Sequence, residues 1–229
     1  MNISDKKFTI SIDLMGGDNS PDKTLEGVDL FIKRNKDKKD YFFYLFGNSD
    51  LVIDKIKKLK YLKSNYKLVD TKVVVSNDLS PMAALKKGKG SSMWESIQSQ
   101  ISKNTDVTLS AGNTGVLFVM SKMILKMLEG IDRPALAGLW PSDKGMNLVL
   151  DLGANVECSE KNLIDFSEMG SALYRSLFPN EEVKVSLLNI GSEELKGTEV
   201  LKNAYSKLKT LENMGDFKFV GYVEGNQIT

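Results

Sequence analysis

Histidine is absent from the chain, and no other feature of its composition removes more chemistry. Without an imidazole, no Ser-His or Cys-His nucleophile and no His-ligated metal can be built from its own side chains. Cysteine is nearly absent as well. A single Cys158 supports no intramolecular disulfide framework and fits a reducing compartment. With no histidine to activate it, it reads as a small packed residue after a turn. Charge of either sign is not in excess: 31 Lys and Arg face 30 Asp and Glu, a net +1 that gives no global field for nucleic acid. Long hydrophobic runs are missing too. The most apolar stretch, Val116 to Leu128, is broken by Lys122 and Lys126 and is too short to span a bilayer. The opening MNISDKKFTI lacks the apolar centre of a secretory signal. These absences together describe a cytoplasmic protein.

What is present suffices for a packed core. Hydrophobic residues make up 41% of 229 residues, and no internal repeat, low-complexity tract or Pro/Gly-rich linker divides them. Residues 1–229 are therefore read as one domain. Apolar β-type runs are expected at Phe8–Leu14, Tyr41–Phe46, Lys72–Ser76, Asp106–Ser110, Ala135–Trp140, Asn147–Leu152, Val183–Ile190 and Phe217–Val223. Helical patterns lie between most of them, at Thr24–Arg34, Asp50–Lys60, Ser91–Ser102, Thr114–Leu128, Asn162–Phe178 and Gly197–Leu211. Such alternation predicts an α/β fold in three layers around a mainly parallel sheet. The lysine-rich NKDKKD stretch reads as a solvated helix end and turn.

Small and polar residues gather where strands end. The turns IDLMGGDNSP (Ile12–Pro21), LSAGNTG (Leu109–Gly115), LDLGANVEC (Leu150–Cys158) and LLNIGSEELKG (Leu187–Gly197) each follow an expected strand. Ligands of open α/β sheets bind outside the carboxyl ends of strands, so the four turns are expected to converge on one crevice. Gly112, Asn113, Thr114 and Gly115 let backbone N–H groups approach an oxyanion at a helix N-terminus. A plain N-cap by Asn113 or Thr114 is the competing reading. Gly16 and Gly17 lie between Asp13 and Asp18; Asp18 either orients a ligand or is a turn aspartate. Asp151 and Asn155 offer an orienting acceptor and an oxyanion donor, or else an Asx-turn. Lys196 is a cation for phosphate or a simply exposed lysine. Other templates fail: no dinucleotide fingerprint follows the first strand, KKGKGSSM lacks the Ser or Thr of a P-loop, and no CxxC or HExxH occurs.

Taken in order, eight stretches resemble phosphate acyltransferase, the PlsX family of bacterial phospholipid synthesis: IDLMGGDNSP, SSM (Ser91–Met93), SAGNTG, GIDRPALAG (Gly130–Gly138), LDLGANVEC, MGSALY (Met169–Tyr174), LLNIGSEELKGTE and FVGYVEG (Phe219–Gly225). The resemblance implies an α/β fold related to the isocitrate and isopropylmalate dehydrogenases, usually dimeric, with no cofactor and no metal. It implies a transfer in which inorganic phosphate attacks the thioester of an acyl group on acyl carrier protein, releasing acyl phosphate. Within that reaction Gly16, Gly17 and Gly112–Gly115 would supply N–H groups and Lys196 would neutralise phosphate. Asn155 would donate to the oxyanion, and Asp151 and Asp18 would orient neighbours. Arg133 would hold phosphate or the carrier's prosthetic arm, or else form a structural turn. Lys86, Lys87 and Lys89 beside SSM form a basic loop, either a dock for the acidic carrier or a solvated loop. Asn19 stands where many relatives carry histidine. Relatives continue past VEG, so the chain reads as C-terminally incomplete, and peripheral membrane contact does not carry over with the missing part. A phosphate acetyltransferase-like enzyme and an inactive fragment are the alternatives.

Overall fold

The computed structural model describes residues 7–37, 40–76, 78–143, 145–193, 196–211 and 217–228. Lys38 and Lys39 of the lysine-rich stretch, and Glu194 and Leu195 of the GSEELKG turn, lie outside the described residues. The chain divides into two compact units, residues 1–126 and 127–229.

The first unit is built on a parallel sheet. Its strands are β1 (Phe8–Asp13), β2 (Tyr41–Gly47), β3 (Tyr66–Asp70) and β4 (Val107–Ser110), in the order β3-β2-β1-β4. Helices α1 (Asp22–Arg34), α2 (Ser49–Lys58), α3 (Pro81–Lys87), α4 (Ser92–Ile101) and α5 (Thr114–Leu125) connect and cover it. Period-2 alternation gives the sheet two unlike faces. On one, Ile10, Ile12, Leu14, Tyr41, Phe43 and Leu45 pack against Leu25 and Val28 of α1 and Val52 and Ile56 of α2. On the other, Ser11, Asp13 and Thr108 face α4 through hydrogen bonds. Ser11 Oγ donates to the Ser96 carbonyl at 2.9 Å, and Ser92 Oγ donates to Asp13 at 2.6 Å. Helices therefore lie on both faces, the three layers expected. A second apolar cluster joins Ala84 of α3, Met93 and Ile97 of α4, and Val116, Met120 and Ile124 of α5.

In the second unit β5 (Gly138–Ser142) and β6 (Gly145–Val149) pair antiparallel, and β7 (Lys184–Leu188) and β8 (Lys218–Val223) pair parallel. Helices α6 (Glu160–Leu177) and α7 (Glu199–Leu211) carry its core with the second pair: Val183, Leu187, Ala204, Leu208, Phe217, Phe219 and Tyr222. Helix α6 begins on a full capping box, with Ser159 and Asn162 satisfying each other's backbone N–H groups. Among the described residues, no helix is long and apolar enough to cross a membrane.

The expected strand at Lys72–Ser76 is not one. Its third strand partner is instead Tyr66–Asp70, and the KVVVS run makes only an isolated bridge from Val73 to Ser91. Helix α3 was also not anticipated; Ser80 caps it and proline opens it, the usual N-terminal chemistry. Leu45 is fully buried between β1, α1 and α2. Leu45→Ala should cost about 2–5 kcal/mol of stability, read as a lowered urea midpoint. A midpoint within error of the parent would show that the sheet–helix core had been misassigned.

Candidate functional site

In the first unit, two of the anticipated turns meet. They follow β1 and β4, neighbouring parallel strands in which Asp13 sits opposite Ser110. Asp13 is 1% exposed and ends β1. One carboxylate oxygen accepts the N–H groups of Met15 (3.2 Å) and Gly16 (3.1 Å) and the Ser92 hydroxyl (2.6 Å). The other accepts the Ser110 hydroxyl at 2.7 Å, and Ser110 Oγ in turn accepts the Gly112 N–H at 3.1 Å. One buried carboxylate thus ties the glycine pair, the start of α4 and the GNTG turn together.

The glycines are there because nothing larger fits. A β-carbon on Gly16 would overlap the Asp13 carboxylate and come within 2.9 Å of the Gly112 nitrogen. Gly17 has φ +94°, and its β-carbon would lie 2.6 Å from the Ala111 carbonyl oxygen. The turn closes on itself through the Ser20 hydroxyl, which donates to the Gly16 carbonyl. Asn113 is the N-cap of α5, its side chain accepting the Val116 N–H at 3.1 Å. The N–H groups of Gly16 and Gly112 therefore point inward. Those of Gly17, Thr114 and Gly115 have no acceptor among the described residues. Asp18 has an interaction of its own.

In the second unit, the GIDRP and LDLGANVEC turns are joined. Asp151 accepts the Leu136 N–H at 2.6 Å with one oxygen and the Asn155 N–H at 2.7 Å with the other. The Asn155 amide donates to Asp151 (3.1 Å) and to the Pro134 carbonyl (2.9 Å), so both its hydrogens are directed into the turn. Donation to an oxyanion would require one of these bonds to open. Arg133 reaches across to the Glu157 carbonyl at 3.1 Å. A second tie was not foreseen: Lys161 of α6 binds Asp165 at 2.7 Å, and Asp165 accepts the Asp132 N–H at 3.3 Å. Asp132 and Asp165 both favour the charged ammonium, and the Lys161 pKa is raised chiefly by its bond to Asp165.

Lys196 lies in a third turn, after β7, with no hydrogen bond among the described residues to Arg133, Asp151 or Asn155. Its ammonium pairs with Glu193 at 2.9 Å, and its stem lies where a β-carbon on Gly191 would sit. That bond, and the attraction behind it, raises the Lys196 pKa and lowers that of Glu193. Asn189, which sequence reasoning passed over, shapes this turn. It is 8% exposed, donates to the Lys196 carbonyl and accepts the Ile190 N–H.

A shallow cleft of about 250 Å³ lies elsewhere in the first unit, between Tyr44, Phe46, Lys67 and Val69 of the sheet and Glu95 and Gln98 of α4. None of the anticipated residues lines it. Among the described residues, no cluster of three or more Asp, Glu or Cys could hold a metal ion. Cys158 is half-buried; burial pushes its thiol pKa up, the Asp151 carboxylate adds to the shift, and Arg133 opposes it. The thiol therefore stays protonated near neutral pH and is a weak nucleophile.

The signal for Asp13 was an acid just before a glycine pair, together with serines opening the next helix and closing the next strand. Only contact between strands distant in sequence joins them. Asp13→Asn leaves an NH2 group facing donors and should cost about 1–3 kcal/mol by urea denaturation. An unchanged midpoint would remove Asp13 as the tie between the turns. Cys158 should react with iodoacetamide at pH 8 more slowly than free cysteine, and faster in Asp151→Asn. A rate matching free cysteine would contradict the protonated thiol.

The family model described as fatty acid synthesis protein matches residues 8–229. A phosphate acyltransferase of Pelagibacter ubique is 49% identical over 223 residues, covering 97% of this chain and 65% of that protein. One of Rhizobium meliloti is 40% identical over 220 residues, covering 96% of this chain and 62% of its own length. The chain thus spans less than two thirds of these relatives. Among solved structures, a phosphotransacetylase from Streptococcus pyogenes aligns with TM-score 0.68 at 13% identity, over 95% of this chain and 68% of that one. The EutD phosphotransacetylase from Staphylococcus aureus aligns with TM-score 0.67 at 13% identity, over 94% and 67%. At such identity these two show the α/β fold alone.

Proposed function

The chain belongs to the fatty acid synthesis protein family, and from that premise we propose that it transfers an acyl group from a thioester to inorganic phosphate, giving an acyl phosphate for phospholipid synthesis. The donor in this reading is acyl carrier protein. One observation carries the proposal: the buried Asp13 holds two glycine turns side by side, in which the N–H groups of Gly17, Thr114 and Gly115 have no acceptor among the described residues. Such groups at a helix start suit a phosphate oxygen.

The chemistry needs little more than placement. Phosphate is already anionic near neutral pH, so no base is required to make it a nucleophile. It attacks the thioester carbonyl, the tetrahedral oxyanion is held by preorganised donors, and the C–S bond breaks to release thiolate. A thiol of pKa about 8.5 departs with little acid help. A chain without histidine is equal to that. Gly16 and Gly112 set the shape of the turns, while Gly17, Asn113, Thr114 and Gly115 form the oxyanion- or phosphate-binding rim. Lys196 neutralises phosphate, Asn155 donates to the oxyanion, Asp151 and Asp18 orient neighbours, and Arg133 contributes to binding. Residues 1–229 are read as one acyltransferase domain. Assembly as a homodimer and a cytoplasmic location belong to the same reading.

Thiol release from acyl carrier protein thioester, followed with and without phosphate, tests the proposal. Phosphate-dependent release with acyl phosphate formed is expected; release at the same rate without phosphate would overturn the reaction. Because Lys196 is already paired with Glu193, phosphate must displace a carboxylate. Lys196→Ala should therefore raise the KM for phosphate about tenfold, and Glu193→Gln should lower it. A phosphate KM unchanged in Lys196→Ala would remove the lysine from the site.

A further inference from the structure

Helices α3 and α5 lie side by side and point the same way. Pro81 at the start of α3 abuts Gly115 at the start of α5, and Gly88 just past α3 abuts Met120. Neither helix contains a single Asp or Glu, yet Lys86, Lys87, Lys89, Lys122 and Lys126 are all exposed on or just beyond them. Among the described residues none of the five forms an ion pair, whereas nine other lysines do. Lys122 lies seven residues past Gly115, on the same face of α5 two turns along, and Lys126 is the residue that ends the helix. The same two helices also carry two exposed methionines, Met82 at 65% and Met123 at 56%.

We propose that this α3–α5 surface docks the acidic carrier protein that delivers the thioester, an inference that rests on the function proposed above. Unpaired lysines and adaptable methionines match a small acidic helical protein in charge and in shape tolerance. An anionic membrane would also attract the lysines, but the exposed positions of these helices hold Met, Leu, Lys and Thr, without the Trp or Phe that anchors interfacial helices. The placement is apt. Helix α3 is seven residues long, so the lysines at its end lie about 10 Å along its axis from the Gly115 turn. A flexible prosthetic arm covers that span. Lys86 and Lys87 belong to the last turn of a helix rather than to a loop, so their backbone positions are held.

Binding of acyl carrier protein is measured by fluorescence anisotropy at low and high salt, beside phosphate-dependent turnover of a small soluble acyl thioester. The triple variant Lys86→Glu/Lys87→Glu/Lys122→Glu should weaken carrier binding about tenfold at low salt and flatten its salt dependence, with turnover of the small thioester unchanged. Lys86→Ala/Lys87→Ala/Lys122→Ala gives the same direction without charge reversal, should the first variant fail to fold. Carrier affinity unchanged in the alanine variant overturns the docking surface. So does lysine-dependent binding to anionic phospholipid vesicles with no lysine dependence toward the carrier. Lysine-dependent carrier binding with neither thioester cleaved sustains the docking surface and overturns the reaction instead.

Discussion

One buried carboxylate organises the candidate site. Asp13 ends the strand β1 and gathers four donors: two backbone N–H groups of its own turn, a serine from the start of α4 and a serine from the end of β4. A charge so enclosed is tolerated only because each donor offsets lost hydration. Its demand for donors fixes the surroundings. The glycine turn must fold back over it, and the neighbouring turn must come close enough for Ser110 to reach it. No side chain larger than hydrogen is accommodated at Gly16.

The same device recurs in the second unit with other residues. Asp151, just after β6, collects the N–H groups of Leu136 and Asn155 and so locks two turns together. Asn189, just after β7, accepts from Ile190 and donates to Lys196. In each case a polar side chain at a strand's carboxyl end shapes the loop that follows it. Rigid loops of this kind suit a reaction that asks for placement rather than acid–base exchange.

Much of this was legible in the sequence, and the failures have physical causes. The strands β1, β2 and β4 and the helices α1, α4 and α6 follow from periodicity because each buries an apolar or small-residue face. The run KVVVS looked like a strand because of its β-branched residues, but Val73 and Val74 are exposed and no sheet neighbour receives them. The true edge strand YKLVD alternates weakly, as an edge exposed to solvent can afford to. That glycines, asparagines and a lysine stand in these turns was legible as well. Their orientation was not. That the Asn155 amide points inward, that Lys196 pairs with Glu193, and that Lys161 and Asp165 hold the GIDRP turn depend on contacts that spacing alone does not encode.

The central claim is that the two turns tied by Asp13 form an anion site. It is tested most directly by titrating the 15N-labelled protein with inorganic phosphate and following its amide resonances. Saturable shifts should appear at Gly17, Thr114 and Gly115, with Gly16, whose N–H is held by Asp13, moving much less. Shifts confined to other parts of the chain, or none up to millimolar phosphate, would contradict it.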